Sequence, residues 1–128
     1  MKRRILIVDD EVNFTWLVKL NLEETGEYVV FIENDSRKAL TAAKRYHPDL
    51  ILLDVILPGL EGPDVLSLFR CDDDTRRIPV VFFTATVRKE EVDNHHGVIG
   101  GQRFLAKPSS ISDLIETIEK NLFSSHQS

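Results

Sequence analysis

Ile5-Leu6-Ile7-Val8-Asp9-Asp10-Glu11 sets four apolar residues directly ahead of three carboxylates. A short, uninterrupted apolar run is the pattern of a strand covered on both faces, as in a parallel sheet. Four further runs follow, at residues 28–32, 50–53, 80–83 and 104–106. Several are rich in β-branched or aromatic residues, which favours strand over helix. The segments between them carry helical spacing. Ala39, Ala42, Ala43 and Tyr46 fall at i, i+3, i+4 and i+7, one face of a helix. Val65, Leu68 and Phe69 repeat this on a shorter segment, and Ile111, Leu114, Ile115, Ile118 and Leu122 form the cleanest stripe. Ser110 ahead of Asp113 suits a helix start, since a serine oxygen accepts an orphan backbone N–H. The first helix, residues 12–25, is less clean, with Gly26 as its stop. The fourth, residues 88–94, has the weakest apolar face and is expected to be the least firmly docked.

The order is therefore βαβαβαβαβα. Right-handed crossovers then put helices on both faces of a parallel sheet. The expectation is an α/β fold: a single doubly wound (βα)5 flavodoxin-like domain with strand order 2-1-3-4-5. The chain of 128 residues suffices for one such domain. It is expected to span 1–123, with 124–128 a flexible tail or the start of a linker. The domain either stands alone or is the front of a longer regulator.

Composition narrows the function classes. The formal net charge of −5 argues against direct nucleic-acid binding by this domain. No apolar run approaches the roughly 18 residues of a membrane span. The apolar stretch at residues 5–8 is too short for a signal peptide. The single cysteine, Cys71, excludes an intrachain disulfide or a multi-cysteine metal site and fits a cytoplasmic location.

In an open α/β sheet, ligands bind outside the carboxyl ends of the strands. Asp9-Asp10 follow the first run, Asp54 the third, Thr84 the fourth and Lys107-Pro108 the fifth. The second run, ending near Glu33-Asn34, lies at the expected sheet edge. Carboxylates gathered on one rim repel one another, and a hard divalent cation relieves this. Mg²⁺, for which Mn²⁺ can substitute, takes oxygen ligands from one or two carboxylates and a phosphate. A carboxylate is also a phosphoryl-accepting nucleophile. Lys107 offers a compact positive charge to a phosphoryl oxygen, and the Thr84 hydroxyl offers a hydrogen bond.

With these residues assembled, the chain resembles a response-regulator receiver domain of two-component signalling over essentially its whole length. The matching motifs are Ile-Leu-Ile-Val-Asp9-Asp10-Glu11, Leu-Asp54-Val-Ile-Leu-Pro58-Gly-Leu-Glu-Gly62, Thr84-Ala85 and Phe104-Leu-Ala-Lys107-Pro108. The resemblance implies Asp54 as phosphoacceptor, Asp10 as a direct Mg²⁺ ligand and Asp9 as an acidic neighbour acting through water. Ile56 would lend its backbone carbonyl to the metal. Thr84 and Lys107 would bind the phosphoryl group. Phe104 would be the switch aromatic that moves inward, with Ala85 leaving it room. The Lys107–Pro108 bond would be cis. The implied partners are a sensor histidine kinase or phosphotransfer protein, a downstream effector or a separate output domain, and a second copy in a phosphorylation-dependent homodimer. Such a domain catalyses only its own phosphorylation and dephosphorylation and has no membrane partner. Leu57, Leu60 and Glu61 depart from the commonest residues without touching this chemistry, and Gly100-Gly101 stands where Gly-Ala is more usual.

Taken singly these residues say less. Asp9-Asp10-Glu11 alone reads as a solvated helix start, Lys107 as a surface lysine and Phe104 as core. His95-His96 diverge on a helix and read as a solvated helix end. Three other functions compete. A Mg²⁺-dependent hydrolase of the haloacid-dehalogenase type would carry Asp-x-Asp after its first strand. A flavodoxin-like electron carrier would need a Ser/Thr/Gly-rich loop where this chain has Asp9-Asp10-Glu11. A degenerate receiver, acting only as an interaction module, is disfavoured because every site residue is present.

Overall fold

The computed structural model describes residues 1–126, with side chains through Leu122. The chain alternates β1 (Arg3–Val8), α1 (Val12–Glu24), β2 (Tyr28–Glu33), α2 (Ala39–Tyr46), β3 (Leu50–Leu53), α3 (Gly62–Arg70), β4 (Val80–Thr84) and α4 (Lys89–Asn94). It ends with β5 (Val98–Ile99), β6 (Gln102–Ala106) and α5 (Ile111–His126). A 3-10 turn, Ser36–Lys38, leads into α2. The sheet order is β2-β1-β3-β4-β6-β5. All pairs are parallel except β5 with β6.

The expected flavodoxin-like order thus holds for the five parallel strands, with β6 in fifth place. The sequence reading missed β5, which adds a sixth, antiparallel strand at the edge. Its cause is local. Gly100 and Gly101 have φ of 58° and 82°, and two positive φ values in a two-residue loop suit the right-handed twist of a hairpin. Val98 then faces Arg103 and Ile99 faces Gln102. A two-residue edge strand offers little for another chain to pair with.

Alternation along the strands divides the core in two. Ile5 and Ile7 of β1 join Leu50, Leu52, Val81 and Phe83 under α1 and α5. Leu6 and Val8 join Ile51, Leu53 and Phe82 under α2 and α3, where Phe69 is fully buried. Both faces of β1, β3 and β4 are therefore dry, which is why their sequences do not alternate. The start of α5 is as expected: Asp113 N–H donates to Ser110 Oγ at 3.0 Å. The blurred stripe of α1 also has a physical source. Thr15, Val18 and Leu22 face the core, but Val12, Trp16, Leu17 and Leu20 are exposed. Helix α5 includes residues 124–126, which the sequence reading assigned to the tail; residues 127–128 of that tail lie outside the described residues.

Val92 is the only buried residue of the six in α4. By contrast α5 buries Leu114, Ile118 and Leu122. Native-state hydrogen exchange is expected to show α4 amides exchanging at least about tenfold faster than those around Ile118. Equal protection of the two helices would mean that α4 is as firmly docked as α5.

Candidate functional site

The carboxyl ends of β1, β3, β4 and β6 meet on one rim. Asp9 follows β1 and is 1% exposed; Asp54 follows β3 and is 7% exposed. Each is fixed locally. Asp9 Oδ1 accepts the Glu11 N–H at 3.0 Å, and Asp54 Oδ1 accepts the Val55 N–H at 2.8 Å. The Asp54 N–H donates to the Val8 carbonyl at 3.1 Å, carrying the β1–β3 ladder up to the site.

Lys107 joins the two aspartates. Its N–H donates to the Thr84 carbonyl at 2.9 Å, and the preceding residues form β6, so its side chain starts at the fourth strand end. The ammonium Nζ lies 2.6 Å from Asp9 Oδ2 and 3.2 Å from Asp54 Oδ2. It is also 3.5 Å from Glu11 Oε1 and 4.3 Å from the centre of the Phe14 ring. The Lys107–Pro108 bond is cis, as the resemblance implied.

The two partners respond differently to burial. Burial raises the Asp9 carboxyl above its ordinary value, and the Asp54 charge adds to that; the Lys107 ammonium and the Glu11 N–H offset it only in part. Burial also acts to lower the Lys107 ammonium, but the Asp9 hydrogen bond and the charges of Asp9 and Asp54 outweigh it, leaving a net rise.

One ammonium faces three carboxylates here, because oxygens of Asp9, Glu11 and Asp54 all lie within 4.8 Å of one another. This donor set is all oxygen and carries excess negative charge, which fits a hard divalent cation such as Mg²⁺. Sequence reasoning gave Glu11 no role. Its exposed side chain joins the group because the chain turns into α1 there. Asp10, expected as a direct ligand, is exposed and outside this trio.

Thr84 is fully buried, and its hydroxyl pairs with that of Thr86 at 3.1 Å. Phe104 stands opposite Phe82 in the β4–β6 register, their ring centroids 5.2 Å apart. Strand alternation puts Phe82, Thr84 and Phe104 on one face of the sheet. Phe104 is only half-buried there and borders a groove with Val92 of α4 and Asn121 of α5. Ile56, on the loop after Asp54, is 56% exposed.

Gly62 was quoted in a motif but given no role. A Cβ there would collide with the Asp54 carbonyl oxygen and come within 2.8 Å of Val55 Cα. Its N–H donates to the Val55 carbonyl at 2.8 Å. The start of α3 therefore closes directly onto the backbone of Asp54.

Comparison with known proteins agrees with this geometry. A family model described as response regulator receiver domain matches residues 5–119. The DNA-binding response regulator MtrA of Mycobacterium tuberculosis is 32% identical over 123 residues, 95% of this chain and 51% of that protein. The phosphate regulon transcriptional regulatory protein PhoB of Klebsiella pneumoniae is 39% identical over 120 residues, 93% of this chain and 51% of that protein. The chain thus spans about half the length of these relatives. Among solved structures, the receiver domain of the sensor histidine kinase PA1611 from Pseudomonas aeruginosa has a TM-score of 0.79 and 26% identity. That match covers 96% of this chain and 99% of that one, and that structure has a magnesium ion coordinated in its active-site cleft.

Gly62→Ala is expected to lower stability by about 1–3 kcal/mol, because the methyl must displace backbone rather than a side chain. Urea unfolding measures this; an unchanged midpoint would mean that the loop after Asp54 yields without strain.

Proposed function

The chain belongs to the response regulator receiver-domain family of two-component signalling, and on that premise we propose that Asp54 is its phosphoacceptor. The observation that carries this reading is the buried Lys107 ammonium bridging Asp54 and Asp9 at 3.2 Å and 2.6 Å. The domain is a switch: phosphorylation adds up to about two negative charges and new acceptor oxygens. A sensor histidine kinase or phosphotransfer protein supplies the phosphoryl group. An Asp54 carboxylate oxygen forms the new bond to phosphorus as the bond from phosphorus to the donor imidazole nitrogen breaks.

The remaining side chains act on the group being transferred. Lys107 holds a phosphoryl oxygen by charge, and the Thr84 hydroxyl leaves Thr86 to donate to another. Phe104, half-buried and on the same sheet face, follows Thr84 inward. That motion reshapes the surface around α4 and β6. Asp9, Glu11 and Asp54, whose oxygens lie within 4.8 Å of one another, would hold Mg²⁺ or Mn²⁺ with the Ile56 carbonyl, Asp10 joining them once its exposed side chain turns inward, and the cation would neutralise charge on the phosphoryl oxygens. The same residues serve phosphate loss, in which a water oxygen bonds to phosphorus as the bond from phosphorus to the Asp54 oxygen breaks and phosphate leaves, so the domain catalyses only reactions of its own acyl phosphate.

Partner and output follow the same logic. Val12, Trp16 and Leu20 are exposed at i, i+4 and i+8 of α1, beginning one residue after Glu11. An apolar stripe beside the phosphoacceptor suits a helical phosphodonor domain. The relatives' greater length supports output through a further domain or an effector protein, and a phosphorylation-dependent homodimer through the reshaped face fits as well. The cytoplasm, where such donors reside, is the expected compartment.

Incubation with Mg²⁺ and acetyl phosphate or phosphoramidate is expected to add one phosphoryl group by intact mass. Asp54→Ala and chelation with EDTA should each abolish the gain. A wild-type protein unmodified by any donor would sink the reading and leave an interaction module. Ile56 stands exposed beside Asp54, so its bulky apolar side chain hinders an attacking water. Phosphate loss from Ile56→Asn should be several-fold faster than from wild type. A rate no faster than wild type would remove this role for Ile56.

A further inference from the structure

The turn between β2 and α2 follows the carboxyl end of the edge strand β2, and two of its side chains reach the backbone of the neighbouring site. Asn34 Nδ2 donates to the Asp9 carbonyl at 2.8 Å and to Thr15 Oγ1 at 3.1 Å. Ser36 is 3% exposed. Its Oγ donates to the Pro58 carbonyl at 2.8 Å and accepts the Leu60 N–H at 3.1 Å. Both bonds fall on one loop, residues 55–60, which begins at the phosphoacceptor. At its base the loop is closed by Gly62 N–H on the Val55 carbonyl. Ser36 is its second anchor, and it grips the tip.

A buried hydroxyl is costly unless its hydrogen bonds are made. Here both the donor and an acceptor lone pair are spent on the same loop, one on a carbonyl and one on an N–H. Packing alone does not need this arrangement. The loop also carries Ile56, whose backbone has no side-chain bond of its own among the described residues. A carbonyl on a six-residue excursion can meet a cation only if the path of the loop is fixed. We propose that Ser36 is a positioning residue for the metal side of the site: by clamping Pro58 and Leu60 it sets the backbone between Asp54 and α3, and with it the direction of the Ile56 carbonyl. This inference rests on the receiver reading above and assigns a residue outside the four strand ends to it.

The test uses the full chain. Calorimetric titration with Mg²⁺, amide exchange at Leu60 and phosphorylation by phosphoramidate are compared in wild type, Ser36→Ala and Ser36→Thr. In Ser36→Ala the Leu60 amide should lose protection, and Mg²⁺ affinity should fall about tenfold, the lower end for loss of a partner that orients a ligand. Phosphorylation should slow at low Mg²⁺ and return to within about twofold of wild type at saturating Mg²⁺, since the reacting groups themselves remain. Ser36→Thr keeps the hydroxyl and should keep the affinity. Should Ser36→Ala not fold, Ser36→Cys, with its weaker donor and acceptor, takes its place with the same expected rank.

A Leu60 amide that loses protection while Mg²⁺ affinity stays at the wild-type value would overturn the inference, because the clamp would then exist without serving the metal. A rate deficit that saturating Mg²⁺ does not repair would overturn it too. A wild-type chain that neither binds Mg²⁺ nor gains a phosphoryl group would overturn the receiver reading first and this inference with it.

Discussion

Lys107 extends from the end of β6 to carboxylates that follow β3 and β1, and its ammonium is nearly as buried as they are. Removing one partner of a buried pair leaves an uncompensated charge and costs about 3–5 kcal/mol in typical cases. The three strand ends are therefore bound to one another electrostatically as well as by the sheet ladder. One positive charge does not balance Asp9, Asp54 and Glu11. The remaining negative charge suits the rim to a hard divalent cation. Structural cohesion and chemical readiness have the same origin.

The fold serves this arrangement through strand alternation. Beyond Arg4 of β1, and throughout β3 and β4, the strands are apolar on both faces up to their carboxyl ends, so the next polar residues appear only where they leave the core. Those residues are Asp9 and Asp54, with the Thr84 hydroxyl at the end of β4 itself. The same alternation aligns Thr84 with Phe82 and Phe104. The proposed coupling from the rim to the groove beside α4 would run along side chains on this one face. Helix α4 holds that face with a single buried valine, which leaves it the most readily rearranged element next to the aromatic pair. The hairpin of β5 and β6 closes the edge beyond it, so rearrangement does not expose a long unpaired strand.

Much of this was legible in the sequence because it is local. The runs at 50–53 and 80–83 are strands within one residue of their read limits, and the Ser110 cap, the glycine stop of α1 and the weak face of α4 all follow from short-range chemistry. Strand-end position then brought Asp9, Asp54, Thr84 and Lys107 to one rim. The misses have a common cause. β5 exists because two consecutive glycines adopt positive φ and fold two residues back onto β6, which no apolar run announces. Asn34-Asp35-Ser36 is a short polar stretch after the second run and gives no local sign that it reaches the loop behind Asp54. Glu11 reads as a helix start, and Gly62 as one glycine among six.

The amino-acid order by itself determined the α/β class, the parallel core and the residue types available at the strand ends. Periodicity and the polarity change at each strand terminus depend on neighbours only a few positions apart. Tertiary structure alone decided which of those residues touch. It put Lys107 between Asp9 and Asp54, added Glu11 to the carboxylates while Asp10 faces solvent, pressed Gly62 onto the Asp54 backbone and set Ser36 under the loop that follows it. Each of these contacts joins segments brought together by crossovers or loop returns, and their distances depend on the twist of the sheet and the packing of helices upon it. No local pattern encodes those quantities.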